Sequence, residues 1–153
     1  MAEQQTFVGD HPRQIDAKGR VSLPVEFRRG RGHDGFFLAR IGERCLALFS
    51  PEDWLEVQAR LLESAREEPA RRNRVVAVTR HAVQRLFDAQ GRFLIPPGLR
   101  EAVGLKRDVI VAGRVQRIEL WDPEALAAAE AAAYADEPPE MSNREAFLAG
   151  VFC

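Results

Sequence analysis

Two nine-residue stretches hold most of the side chains in this sequence that could do chemistry. They are Asp16-Ala17-Lys18-Gly19-Arg20-Val21-Ser22-Leu23-Pro24 and Asp88-Ala89-Gln90-Gly91-Arg92-Phe93-Leu94-Ile95-Pro96. In each, an Asp precedes a glycine by three residues and an Arg follows it directly. One reading is structural: the carboxylate accepts backbone hydrogen bonds across a tight reversal and pairs with the Arg. The other is functional. A two-stranded ribbon fits the DNA major groove, and arginine is the side chain suited to a bidentate contact with guanine. One copy alone is explained by the structural reading. Two copies, each keeping a long cation beside a turn glycine, bring DNA binding level with it.

No other chemistry has a comparable basis. His11, His33 and His81 are far apart, without ligand spacing or a partnered nucleophile. There is no Gly-Lys-Ser/Thr phosphate loop and no G-x-S-x-G elbow. Glu67-Glu68 reads as a solvated helix end. Cys45 lies in an apolar strand pattern and reads as a buried small hydrophobe, and Cys153 as a tail thiol. An enzyme is not expected, nor is a catalytic residue, a metal, a cofactor or a small-molecule substrate.

The two stretches are parts of a longer repeat. Their offset of 72 residues continues without a gap: Arg28 matches Arg100, Gly32 matches Gly104, Leu48 matches Leu120 and Pro51-Glu52 matches Pro123-Glu124. Ten identities between residues 16 and 52 exceed what chance provides, so the chain is read as a duplicated unit.

The elements that must position the motifs follow the same plan twice. His11 to Ile15 and Val83 to Phe87 read as strands leading into the turns, with Thr6-Phe7-Val8 as a further short strand. Val21 and Leu23 alternate with Arg20 and Ser22, the period of a half-buried strand. Gly19 and Gly91 supply the backbone freedom of the reversal. Short helices follow over Val25 to Arg29 and Pro97 to Val103. Gly30 and Gly32 stop the first, and Gly104 closes the second. Hairpins are expected over Phe36–Ala39 with Cys45–Phe49, and over Val109–Val111 with Arg117–Trp121. Ser50-Pro51-Glu52-Asp53 is a strong helix start. The helix runs to about Ala65, with Trp54, Val57, Leu61 and Ala65 in one stripe widened by Leu55, Ala59 and Leu62. Glu67-Glu68-Pro69 breaks it, and a second helix covers Ala70 to about Thr79. Asp122-Pro123-Glu124 opens an Ala-rich helix to about Tyr134. The resulting division is 1–5 disordered, 6–68 first repeat with its trailing helix, 69–80 linking helix, 81–135 second repeat with its trailing helix, and 136–153 an acidic flexible tail containing Pro138-Pro139.

Net charge is −1, yet the charges are segregated. Seven acids from Asp122 onward face Arg144 alone, whereas Arg13, Lys18, Arg20, Arg28, Arg29 and Arg31 surround the first motif against Asp16 and Glu26. Local field governs docking to a polyanion, so the overall balance leaves nucleic acid open as a partner. The first residues lack the pattern of a signal peptide and no apolar run approaches a membrane span. No membrane association is expected, and the cytoplasm is the expected compartment.

The duplicated Asp-Ala-Lys-Gly-Arg-Val-Ser-Leu-Pro and Asp-Ala-Gln-Gly-Arg-Phe-Leu-Ile-Pro-Pro-Gly-Leu-Arg resemble the MraZ family of bacterial regulators, from about Phe7 to the final helix. Similar half-units occur singly in the AbrB group. The resemblance implies a mixed α+β fold, a pseudo-twofold swapped-hairpin β-barrel in which the two repeats share one core. It implies a nucleoid-associated transcription factor of the division and cell-wall gene cluster. Such a factor assembles as a homo-oligomeric ring on G-rich direct repeats of double-stranded DNA upstream of its own operon. Carried onto this chain, Arg20 and Arg92 contact DNA with Lys18 beside Arg20, and Asp16, Gly19, Asp88 and Gly91 shape the turns. Arg13 and Arg28 are further phosphate candidates, with Arg71, Arg72 and Arg74 behind them. Gln90 stands where the first copy has Lys18, which implies a weaker grip in the second half. The alternative, taken from antitoxins with AbrB-like halves, is a protein-interaction module whose tail folds on a partner.

Overall fold

A computed structural model describes residues 6–29, 35–136 and 144–152. The expectations for residues 1–5, for Gly30, Gly32 and His33, and for Pro138-Pro139 lie outside the described residues. The chain forms two compact units, Met1–Asp122 and Pro123–Cys153.

In the first unit, each repeat contributes two strands, a short helix and two further strands in the same order. The first supplies β1 (Asp10–Gln14), β2 (Arg20–Ser22), the short helix α1 (Val25–Arg28), β3 (Phe36–Arg40), β4 (Cys45–Phe49) and α2 (Pro51–Glu67). A 3-10 turn at Pro69–Arg71 leads to α3 (Arg72–Thr79). The second repeat then supplies β5 (Val83–Arg85), β6 (Arg92–Leu94), α4 (Pro97–Ala102), β7 (Asp108–Gly113) and β8 (Ile118–Trp121).

The repeats interleave. Six strands form one antiparallel sheet in the order β1-β7-β8-β4-β3-β5. Exchanging each strand for its counterpart 72 residues away and reversing the order returns the same sheet, so a pseudo-twofold axis runs between β4 and β8. In that central pair Leu46 faces Leu120, Leu48 faces Ile118, and Ala47 faces Glu119, its own repeat partner. The outer pairs cross between repeats, β1 on β7 and β5 on β3. Neither repeat can complete the sheet alone.

The expected barrel is not closed. β1 and β5 remain as the two edges of the large sheet, and β2 and β6 pair with each other as a separate antiparallel ribbon. Each ribbon strand is three residues long and is followed two residues later by a proline, Pro24 or Pro96. Proline cannot donate to a ladder, and here it leads straight into a short helix instead of another strand pair. The ribbon is nonetheless tied into the body through its inner face. Val21 and Phe93 are buried in one core with Leu23 and Ile95 beside them, Phe7 and Phe27 from the first repeat, and Leu99, Val103 and Leu105 from the second. Phe7 meets Phe27 edge-on at a centroid distance of 5.3 Å. Thr6-Phe7-Val8 makes only an isolated bridge, Phe7 to Val115.

The helix α2 starts as its sequence dictates: the Ser50 hydroxyl accepts from the Asp53 N–H at 3.1 Å, with Pro51 at the first turn. Trp54 packs between Phe37 and Phe49 in a second, smaller cluster. Leu55 and Leu62, read as widening the buried stripe, are exposed, and from α2 the small cluster takes up Trp54 and Val57.

The second unit contains α5 (Pro123–Ala135), whose run of alanines favours helix, and α6 (Arg144–Phe152). The described part of the expected tail, Arg144–Phe152, is helical. Its sequence contains good helix formers and no proline. No described helix is long and apolar enough to cross a membrane.

Candidate nucleic-acid interface

The two turns are built alike, bond for bond. In the first, Asp16 Oδ1 accepts the backbone N–H groups of Lys18 at 2.9 Å and Arg20 at 2.8 Å, and Oδ2 accepts Arg20 Nε at 2.8 Å. In the second, Asp88 Oδ1 accepts Gln90 N–H at 2.9 Å and Arg92 N–H at 3.0 Å, and Oδ2 accepts Arg92 Nε at 2.9 Å. Gly19 and Gly91 stand at φ +85° and +75°, the left-handed region where a side chain is strained. The structural reading of Asp-x-x-Gly-Arg therefore describes how each turn is held. Both aspartates titrate below the ordinary carboxylate value of 3.8. The first cause is the backbone N–H of Arg20 or Arg92, opposed by partial desolvation and reinforced by the arginine side chain.

What the ribbon adds is to bring the two turns together. Val21 faces Phe93, Arg20 faces Leu94 and Ser22 faces Arg92. With Val21 and Phe93 buried, strand alternation puts Arg20, Ser22, Arg92 and Leu94 on the outer face. The arginines are diagonal neighbours on that face, with side chains 29% and 31% exposed. Each guanidinium also faces the other repeat's carboxylate: Arg20 Nη1 lies 3.8 Å from Asp88 Oδ2, and Arg92 Nη1 lies 3.7 Å from Asp16 Oδ2. Those crossed distances are ion pairs too long for hydrogen bonds. Each arginine is thus anchored at Nε and loosely engaged at Nη1.

The rest of the expected set is spread more widely. Lys18 is exposed at the first turn, next to Gly19. Arg28, on α1 of the first repeat, lies over the second turn: its Nε donates to Leu23 O at 3.1 Å, and a Cβ built on Gly91 would overlap its guanidinium. Arg13 is on the edge strand β1, with Nη1 on Pro12 O at 2.9 Å. Arg71 is bound to Glu68 at 3.0 Å and to Ser64 Oγ at 3.1 Å, while Arg72 and Arg74 are exposed on α3.

Two outer-face residues were missed from sequence, Gln90 as a contact and Leu94 as an exposed side chain. Gln90 Oε1 accepts from Arg92 Nη2 at 3.2 Å, an extra restraint that Lys18 has no acceptor to give Arg20. Leu94 is 42% exposed despite its apolar character. The alternation used for Val21 and Leu23 would have placed it outside, had it been applied to the second copy.

Elsewhere, Cys45 is buried, and burial first, then the Glu119 carboxylate, pushes its thiol far up. Among the described residues no group of three or more His, Cys, Asp or Glu side chains is placed to hold a metal ion.

Comparison with known proteins agrees with the repeat. A family model described as MraZ protein, with an antitoxin-like qualifier, matches residues 6–76 and again residues 78–147. A protein of Acetivibrio thermocellus named Transcriptional regulator MraZ is 39% identical over 76% of this chain and 80% of its own length. Proteins with the same name from Thermomicrobium roseum and Kineococcus radiotolerans are 37% and 35% identical, over 93% and 95% of this chain and 99% of each relative. With the family matched twice, in the two halves that the structure interleaves, this chain belongs to the MraZ family.

Proposed function

We propose that this chain is a transcriptional regulator that binds double-stranded DNA through the outer face of the β2–β6 ribbon. The observation that carries the reading is the diagonal placement of Arg20 and Arg92 on one exposed ribbon face. Diagonal neighbours on an antiparallel pair are ~7–8 Å apart, comparable to two base-pair steps of ~3.4 Å. Each Nε is held by its own aspartate, which restrains the guanidinium, while Nη1 lies near the other repeat's carboxylate on a partly exposed side chain. A guanine edge or phosphate replaces that long crossed contact at small cost, because the Nε anchor is kept. Asp16 and Asp88 act as turn holders and not as DNA contacts, since a carboxylate facing phosphate is repelled. Lys18 and Arg13 supply phosphate contacts. On this reading residues 6–68 and 81–135 are the two half-units joined by 69–80.

The target is G-rich direct repeats upstream of the chain's own operon, in the nucleoid, with several copies of the chain engaging them as a ring. One bidentate pair discriminates by only ~1–3 kcal/mol, so specificity needs several ribbons held together. The test is a mobility-shift assay with R20A and R92A on upstream DNA. Loss of specific binding with an intact fold supports the regulator, and retained binding overturns it. The exposed Leu148, Val151 and Phe152 of α6 favour a second reading, a protein-interaction module whose turns are structural only. Retained DNA-independent function in the arginine variants would favour that module.

A further inference from the structure

Lys18 has no counterpart on the second turn, where Gln90 stands instead. We propose that Arg28, from the first repeat, crosses to the second turn and supplies the DNA-backbone cation that Gln90 lacks. The inference rests on the DNA-binding reading and assigns a partner to one residue within it.

Three observations carry it. First, Arg28 lies against Gly91, the glycine of the other repeat's turn. Its Nε donates to Leu23 O at 3.1 Å, and the Leu23 N–H in turn reaches Gly91 O at 3.4 Å. The guanidinium occupies the space a Cβ on Gly91 would need.

Second, its repeat counterpart does not do the same. Arg100 donates from Nε to Leu105 O at 3.2 Å and from Nη2 to Lys106 O at 3.1 Å, within its own repeat. The first turn has Lys18 and needs no visitor.

Third, the ribbon itself explains the asymmetry. Over Gly19 the space is filled by Leu94, whose Cδ1 lies 3.4 Å from a Cβ built there. The position related to Leu94 by the pseudo-twofold is Ser22, which is too short to cover Gly91. Arg28 fills the vacated place. The turns then carry equal numbers of cations of unlike kind: Lys18 and Arg20 on one, Arg28 and Arg92 on the other. Ammonium is a compact point charge and guanidinium a planar fork, so the two ends of the ribbon grip a duplex differently.

The experiment is fluorescence anisotropy of the full chain on a random-sequence duplex over a series of KCl concentrations, with thermal melting of every variant. Binding to such DNA is electrostatic, and each phosphate contact contributes ~0.9 to the slope of log K against log salt. R28Q and K18Q are each expected to lower the slope by about that amount, and R28Q/Q90K to restore it. A residue that merely fastens α1 to the ribbon would not be replaced by a lysine at position 90. An unchanged slope in R28Q, or a folded R28Q/Q90K that stays at the lower slope, overturns the proposal. Should R28Q fail to fold, Q90K alone decides. With Arg28 already in place the added lysine raises the slope by clearly less than one contact, and a full increment overturns the proposal. If wild type binds no duplex at all, the DNA reading falls and this inference with it; wild-type binding with an unaffected R28Q removes only the inference.

Discussion

Arg92 reaches from the second repeat to within 3.7 Å of the Asp16 carboxylate, a residue 76 positions earlier in the chain, and Arg20 returns the contact to Asp88 at 3.8 Å. Two local turns thereby become one four-charge cluster whose members belong to different repeats.

The first prediction concerns this coupling. D16N leaves a turn with a weaker acceptor for two backbone N–H groups and removes the partner of both arginines. It is expected to lower the thermal midpoint, as is D88N. The double variant should lose less than the two singles together, because they share partners. Thermal unfolding of D16N, D88N and D16N/D88N checks it; strict additivity would mean that the crossed contacts carry no energy.

Acid should act through the same carboxylates. Their folded pKa values are depressed below 3.8, so they bind fewer protons folded than unfolded. Their stabilisation is fully present above the unfolded value and is lost as pH falls through the lower, folded one. Denaturant midpoints taken from neutral pH downward should show an acid limb below about pH 4 that is shallower in D16N/D88N than in wild type.

The ribbon is held from beneath by Val21 and Phe93, which face each other on the pseudo-twofold axis. Phe93 is 2% exposed, and F93A is expected to cost ~3–5 kcal/mol in urea unfolding. Because the arginines sit on the same three-residue strands, DNA affinity should fall as well in conditions where the variant remains folded.

For DNA itself, R20A and R92A are each expected to cost ~1–3 kcal/mol on a specific site. Affinity should rise steeply with the number of repeats on one duplex. Equal affinity for one repeat and for three, measured at one salt concentration, would remove the case for joint engagement.

Cys45 gives a probe of global opening. Its thiol is buried beside Glu119 and titrates far above the ordinary value. Alkylation of the native protein at neutral pH should be slow, and its rate should follow denaturant-induced unfolding. Fast modification under native conditions would show that the β4–β8 seam opens locally.

Much of this molecule is written in short-range sequence. The Asp-x-x-Gly-Arg turns, the Ser50-Pro51 helix start, the two hairpins and the duplication itself follow from side-chain reach, glycine freedom and hydrophobic period. Each of these acts over a few residues or repeats at a fixed interval. Sequence also left both meanings of the arginines open, as turn braces and as DNA contacts, since one side chain has enough donors for both. Tertiary structure decided which strands pair: β2 with β6, β1 with β7 and β5 with β3. Those partners are brought together by burial of a core shared between the halves, and no local propensity encodes that choice. It also decided that the sheet stays open, that Leu55 and Leu62 face outward, and that Arg28 rests on the other repeat's glycine while Arg100 stays at home. Repetition makes the two halves alike in sequence; packing one against the other lets a serine and a leucine at related positions make them different.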